Sequence, residues 1–170
     1  MEENIEKKQE LKSRLFDFFD KNKLKLFILI SLIILTFFAF SFYQINIKKK
    51  NSIVAEKYIQ AGIFLANKNN ADATLIFEEI IESKNKFYSI LSLNTILEKK
   101  LLTDKEKILQ LFKKTEKNID TKELGDLIKF KKALFLINNS EFEQGKKLLQ
   151  DIANSKSDLK FLAAEILLNI

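Results

Sequence analysis

Residues 26–43 read LFILISLIILTFFAFSFY and contain no charged side chain. Thirteen of these eighteen residues are Leu, Ile or Phe. At about 1.5 Å of rise per residue, a helix of this length extends roughly 27 Å, which matches the hydrocarbon core of a bilayer. A helix that is apolar on every side has no face for solvent, and the rest of the 170-residue chain is too short to surround it. The sequence therefore predicts a transmembrane helix over residues 26–47.

The flanks of this apolar run support an uncleaved span. Tyr43 falls at headgroup depth, where aromatic rings are favoured, and lysines stand on both sides to hold the ends in water. The alternative is a cleavable signal peptide, for which Ala39-Phe40-Ser41 offers a weak cleavage site. Against it, about 25 residues precede the run, and the run exceeds the usual 7 to 15 residues. The flanking lysines are Lys21, Lys23, Lys25, Lys48, Lys49 and Lys50.

The orientation of the span is only weakly encoded. Five basic residues lie within fifteen positions before it and four lie within fifteen positions after it, so the charge bias is small. A short tail before a signal anchor usually stays in the cytoplasm, and a long domain can translocate whatever its charge. We therefore expect a cytoplasmic N-terminus and a C-terminal domain across the membrane, with a cytoplasm-facing domain as the alternative.

The tail of residues 1–25 contains an amphipathic pattern. Leu11, Leu15, Phe18 and Phe19 follow i, i+4, i+7, i+8 spacing, with charged residues between them. This spacing predicts a helix with one apolar stripe. Such a helix either lies on the membrane surface or docks against the membrane helices of a partner, and the pattern fits both.

The net charge of +6 does not indicate nucleic-acid binding once it is divided along the chain. Residues 1–25 hold seven basic and six acidic groups, residues 48–50 three basic groups, and residues 51–170 nineteen basic and seventeen acidic groups. Arg14 is the only arginine, although arginine dominates the recognition of bases and phosphates. The soluble part is nearly balanced, and we expect the run Lys48–Lys50 to contact anionic lipid headgroups.

Catalytic and metal-binding chemistry has little support in the sequence. There is no His and no Cys, and no glycine-rich phosphate loop occurs. Glu78, Glu79 and Glu82 can share one helix face, but they lack the loop spacing of a calcium site and are better explained as a solvated surface. We expect a protein that is not an enzyme and has no cofactor, no metal ion and no small-molecule substrate.

Residues 48–170 show the pattern of an all-α domain. From residue 51 onward there is no Pro and there are only three Gly, and apolar residues recur at helical spacing in short segments. Thr103 with Glu106, and Ser140 with Glu143, have the spacing of capping boxes, which predicts helix starts near residues 104 and 141. Short connections between such helices predict antiparallel helical hairpins.

Two groups of residues in this domain repeat the same intervals. Each group has a small residue, a second small residue twelve positions later, and a large apolar residue four positions beyond that. Small residues allow two helices to approach closely, so we expect these positions to pack inside hairpins. The two groups are Ala61, Ala73 and Phe77, and, seventy-two positions later, Ala133, Gly145 and Leu149.

The order of these features resembles the tetratricopeptide-like, single-span membrane proteins represented by the ancillary subunit of the bacterial Sec translocon, of the alphaproteobacterial type. The matching features are the tail ending in Phe18-Phe19, the span, the two groups above, Lys132-Ala133-Leu134, Gly145–Ile152 and Leu162-Ala163-Ala164-Glu165. The unit around Thr95 and Leu111 is degenerate. The resemblance implies a single-pass protein of the bacterial inner membrane with a periplasmic, tetratricopeptide-like domain that binds proteins.

These expectations combine into a membrane-anchored protein-binding scaffold. Its partners would be proteins, such as translocon subunits, periplasmic chaperones or newly translocated chains, together with membrane lipid and without nucleic acid. If hairpins stack, a groove forms along their first helices, and Tyr58, Phe64 and Lys132 are the candidates to contact a partner there. The alternative is a structural accessory subunit that acts through its transmembrane helix, with the domain as a spacer.

Overall fold

A computed structural model of the chain describes the backbone of residues 2–170 and the side chains of residues 12, 14, 17 and 20–170. Every regular element in this range is an α-helix, which confirms the predicted all-α class. The apolar stripe predicted from Leu11, Leu15, Phe18 and Phe19 lies outside the described side chains. The helices are α1 (Glu2–Ala66), α2 (Asn70–Glu82), α3 (Lys86–Glu98), α4 (Lys105–Lys117), α5 (Lys122–Asn138), α6 (Phe142–Ala153) and α7 (Lys160–Leu168).

The chain divides after Lys49 into two units. Helix α1 begins in the first unit and continues into the second. It is long and apolar enough to cross a bilayer, and none of its most apolar eighteen-residue window is buried. Its large side chains are exposed, for example Phe27 at 70% and Phe38 at 69%. The Thr36 hydroxyl donates to the Ile33 carbonyl at 2.8 Å, so this polar group is satisfied within the helix itself.

The second unit, residues 50–170, is built of packed helical hairpins. The last part of α1 pairs with α2, α3 with α4, and α5 with α6, while α2 also packs closely against α3 and α7 packs against α6. The connections inside the three hairpins are residues 67–69, 99–104 and 139–141. The hairpin architecture expected from helical spacing is therefore present.

Two apolar clusters form the core of this unit, and α5 contributes to both. Ile128 of α5 packs with the buried residues of the first two hairpins, whereas Phe130 and Ala133 pack with α6 and α7. Phe135 extends from α5 towards α4, with its ring centroid 5.8 Å from that of Phe112. Because α5 contributes to both clusters, it connects the third hairpin to the first two.

The helix starts differ by one residue from the two predicted capping boxes. Asp104, not Thr103, is the N-cap of α4, and its Oδ1 accepts the backbone N–H of Lys107 at 3.1 Å. Asp is the stronger N-cap residue of the two. Ser140 does not cap α6, because it has a positive φ of 66° and serves to end α5. In this closure the Glu141 N–H donates to the Leu136 carbonyl at 2.9 Å.

Four left-handed positions at the ends of helices are occupied by residues other than glycine: Lys68, Lys84, Lys100 and Ser140. A side chain at such a position costs about 1 kcal/mol relative to glycine. We expect Lys84→Gly, at φ 63°, to raise the free energy of unfolding by about 0.5–1 kcal/mol. The measurement is urea unfolding of the detergent-solubilised chain, followed by circular dichroism.

Lys99→Gly is the matched control for this prediction. Lys99 is the C-cap of α3 and directly precedes the left-handed residue Lys100. Lys99 itself has right-handed helical angles, so glycine there only adds freedom to the unfolded chain. Lys99→Gly should leave the free energy of unfolding unchanged or lower it. Equal effects of the two substitutions would contradict the assigned role of the left-handed angle.

Candidate protein-binding surface of the helical domain

The second helix of each hairpin buries residues at the same positions along its length. The fourth residue is Ala73 in α2, Ile108 in α4 and Gly145 in α6. The eighth residue is Phe77 in α2, Phe112 in α4 and Leu149 in α6. All six are buried, so the three hairpins share one packing register.

The first helices show the same correspondence when counted from their ends. The residue five positions before the last one is Ala61 in α1, Leu93 in α3 and Ala133 in α5, and each is fully buried. The outer hairpins therefore bury small residues at both of these positions, Ala with Ala in the first and Ala with Gly in the third. The middle hairpin instead uses Leu93 and Ile108, and its connection, 99–104, is three residues longer than the other two.

Gly145 is required by a close approach of two helices. A Cβ atom on Gly145 would lie 2.6 Å from the Ala133 carbonyl oxygen and 2.6 Å from Ile137 Cγ1. The carbonyl belongs to the backbone of α5 and cannot move away independently. The predicted packing group of Ala133, Gly145 and Leu149 thus lies where α5 and α6 meet, and all three residues are buried.

Gly145→Ala is expected to lower the free energy of unfolding by about 1–3 kcal/mol, because overpacking outweighs the gain of up to about 1 kcal/mol in helix propensity. Gly125→Ala on α5 is the control, since nothing lies within 4 Å of a Cβ there. It should stabilise the domain slightly. Urea unfolding of both variants tests the pair, and a neutral Gly145→Ala would contradict the close approach.

The three residues predicted to contact a partner all have contacts within the domain. The Tyr58 hydroxyl lies 3.2 Å from Thr95 Oγ1, and its ring centroid is 5.5 Å from that of Phe77. Phe64 is half-buried against the core of the first two hairpins. Lys132 Nζ lies 3.0 Å from Glu116 Oε1, which links α5 to α4. Each side chain therefore joins neighbouring helices.

The three glutamates of α2 are each paired with a lysine of another helix. Glu78 lies 2.6 Å from Lys107, and Glu79 lies 2.7 Å from Lys57. Glu82 pairs with Lys114, whose hydrogen bond and positive charge lower the pKa of the Glu82 carboxyl group. Among the described residues, no group of three or more acidic side chains is arranged to hold a metal ion.

An open cavity of about 630 Å³ lies between the end of α3, the connection 99–104 and the second half of α5. We call it the α3–α5 cleft. Its lining combines apolar side chains with two amides, one hydroxyl and two lysines. The lining residues are Ile96, Leu97, Lys100, Leu102, Thr103, Ile108, Lys131, Leu134, Phe135, Asn138 and Asn139.

An ion pair joins two residues that follow the lining residues Thr103 and Asn139 by two positions in the chain. Lys105 Nζ lies 2.6 Å from Glu141 Oε1, which ties the start of α4 to the start of α6. The hydrogen bond with Glu141 raises the pKa of Lys105, against a smaller opposing effect of desolvation. Glu141 also accepts a hydrogen bond from Gln144 at 2.9 Å, so its carboxylate is already engaged.

Comparisons of the chain with protein-family models, with curated proteins and with solved structures found no match. The functional interpretation therefore rests on the residues and geometry of the chain itself. Two features that hairpin packing alone does not explain are the unburied apolar helix and the α3–α5 cleft.

Proposed function

We propose that the chain is a membrane-anchored protein-binding scaffold that assists a membrane complex such as the protein translocation machinery. Residues 26–47 would span the inner membrane, and residues 48–170 would form a tetratricopeptide-like domain in the periplasm. The observation that carries the proposal is a fully unburied apolar segment in the same chain as a packed helical-hairpin domain.

The free energy of inserting residues 26–47 into a bilayer favours a transmembrane helix. Thirteen Leu, Ile and Phe residues contribute on the order of −6 kcal/mol on insertion scales, which outweighs Ser31, Thr36 and Ser41. The hydroxyl of Thr36 costs less than an unpaired one because it bonds to the Ile33 carbonyl. An apolar helix of this kind left in water would expose a row of large side chains, which soluble proteins avoid.

The domain supports binding rather than chemistry. The acidic residues grouped on α2 are held in ion pairs with lysines, and the chain has no imidazole or thiol to serve as base, nucleophile or soft metal ligand. Tethering supplies the mechanism, because a binder fixed beside a membrane complex acts at a high effective concentration. Modest affinity for a partner then suffices.

Photo-crosslinking in native membranes tests the scaffold against the accessory-subunit alternative. A photoreactive residue is placed at Phe87 or Lys131 in the domain, or at Leu32 in the apolar segment. The scaffold predicts adducts with protein components of a membrane complex from the two domain positions. Adducts from Leu32 alone would instead favour a subunit that acts through its transmembrane helix.

A reporter fusion tests the side of the membrane on which the domain lies. An enzyme that is active only in the periplasm is fused after Ile170, and we expect activity. A second reporter, active only in the cytoplasm, is the matched control and should be inactive. The reverse result, at equal expression, would place the domain in the cytoplasm.

A further inference from the structure

We propose that the α3–α5 cleft binds a peptide segment that presents a large apolar side chain beside carboxylates. This inference rests on the proposed protein-binding function and names the class of segment that the domain takes. The volume of about 630 Å³ falls within the roughly 300–1,000 Å³ of ordinary binding pockets. An apolar anchor in such a pocket, surrounded by polar contacts, is the usual arrangement of a protein-binding hot spot.

The charged residues that line the cleft determine whether a positively or a negatively charged partner is favoured. Lys100 and Lys131 line it and no Asp or Glu does. Over the described residues neither lysine forms an ion pair, whereas seven other lysines of the same domain do. Those seven are Lys57, Lys86, Lys105, Lys107, Lys114, Lys129 and Lys132. Ten further lysines of residues 51–170 also form no ion pair with a described residue, so Lys100 and Lys131 are distinguished by their place in the lining of the cleft, where a ligand can pair with them.

The helix ends near the cleft do not cancel this positive charge. The C-terminal ends of α3 and α5 lie beside it, and each contributes a partial charge of about −0.5 at most. Two full positive charges exceed that sum. Glu141, near the end of α5, is paired with Lys105 and bonded to Gln144. The charged side chains that line the cleft therefore favour an anionic partner.

The polar groups that line the cleft favour a peptide over a lipid chain. Asn139 donates its amide hydrogen to the Phe135 carbonyl at 2.7 Å, which leaves its own carbonyl oxygen to accept another bond. Within the described part of the chain, the Asn138 side chain has no hydrogen-bond partner. Amides pair well with a peptide backbone, whereas an acyl chain would only desolvate them.

The cleft is specific to the middle hairpin. The connections of the outer hairpins have three residues, whereas residues 99–104 contribute Lys100, Leu102 and Thr103 to the lining. Ile108, one of the two large residues that replace small ones in this hairpin, also lines the cleft. The departure of the middle hairpin from the repeat is therefore the feature that builds the cleft.

A peptide selection tests the proposal with the full chain in phosphatidylcholine nanodiscs. A library of displayed random nonapeptides is selected for binding, and the best enriched peptide is labelled for affinity measurement. We expect enriched peptides to carry Leu, Ile or Phe next to Asp or Glu. The Lys100→Glu, Lys131→Glu double variant should bind the labelled peptide at least about tenfold more weakly.

Matched variants separate the charge effect from a loss of structure. Lys113→Glu with Lys147→Glu reverses two exposed lysines on α4 and α6 outside the cleft, and should leave affinity within about twofold. Lys131→Arg should retain binding. Circular dichroism confirms that each variant keeps its helix content.

Three outcomes would overturn the proposal. They are an absence of enriched peptides, enrichment of neutral or basic peptides, and equal affinity for the wild type and the charge-reversed chain. Oleate that binds with the same dependence on Lys100 and Lys131, without peptide enrichment, would assign the cleft to a lipid instead. Crosslinks from the domain to a membrane complex, found despite these results, would leave the scaffold function standing and refute only the assignment of the cleft.

Discussion

Leu35→Arg combined with Phe38→Arg is expected to release the chain from membranes. Both side chains lie in the middle of the apolar segment and are exposed, at 67% and 69%. Each arginine costs about 2.5–3.5 kcal/mol at the centre of a span, and the substitution also removes a favourable residue. Together they cancel the insertion energy of the segment, which is on the order of −6 kcal/mol.

The readout is the fraction of the chain that stays in the membrane pellet after alkaline carbonate extraction. We expect nearly all of the wild type in the pellet and little of the double variant. Ile59→Arg with Ile63→Arg is the control, because both residues lie on the same helix α1 and are exposed, at 64% and 57%, but beyond the predicted span. If both double variants stay in the membrane pellet to the same extent, residues 26–47 are not the membrane span.

Phe112→Ala is expected to lower the free energy of unfolding of the helical domain by about 3–5 kcal/mol, the usual cost of a fully buried phenylalanine. Phe112 is 0% exposed and occupies the eighth position of α4. Its ring lies 5.8 Å from that of Phe135, so its loss creates a cavity between α4 and α5. Urea unfolding of the detergent-solubilised chain measures the change.

Phe87→Ala is the matched control. Phe87 is 63% exposed on α3, and truncation of an exposed side chain usually changes stability by less than about 0.5 kcal/mol. A small effect of Phe112→Ala, comparable to that of Phe87→Ala, would mean that the middle hairpin does not pack in the shared register. The same pair of variants also reports whether the domain unfolds cooperatively. If it does, the loss of packing in one hairpin should shift the urea unfolding transition of the whole domain.

Helical periodicity was enough to predict the all-α fold and the packed hairpins, because a buried stripe must recur every three to four residues. The exact helix starts were not predictable in this way. Thr103 and Asp104 both suit an N-cap, and the choice depends on the geometry of the preceding connection. Ser140 had the right spacing for a capping box, but closure of the hairpin required a left-handed residue at that position.

The middle hairpin shows why interval matching has a limit. The packing residues of the outer hairpins, Ala61 with Ala73 and Ala133 with Gly145, are twelve positions apart. In the middle hairpin Leu93 and Ile108 are fifteen positions apart, because the connection has three more residues. Both the interval and the residue size change there, so a search for the outer pattern does not find it.

The α3–α5 cleft could not be read from the sequence. Its two lysines have no local feature that separates them from the lysines held in ion pairs. Those pairs join residues far apart in the chain, such as Lys105 with Glu141 and Lys86 with Asp120. Which lysine remains available is therefore decided by the packing of hairpins. For the same reason, sequence position alone did not indicate that Tyr58 and Lys132 would contact neighbouring helices.

The central claim is that residues 26–47 form an uncleaved membrane anchor for the helical domain. The most direct measurement is alkaline carbonate extraction of native membranes, followed by the intact mass of the extracted and retained chain. We expect the chain in the pellet, with a mass that includes residues 1–25 and the apolar segment. Recovery in the supernatant, or a retained or secreted chain that has lost its first forty or so residues, would contradict it.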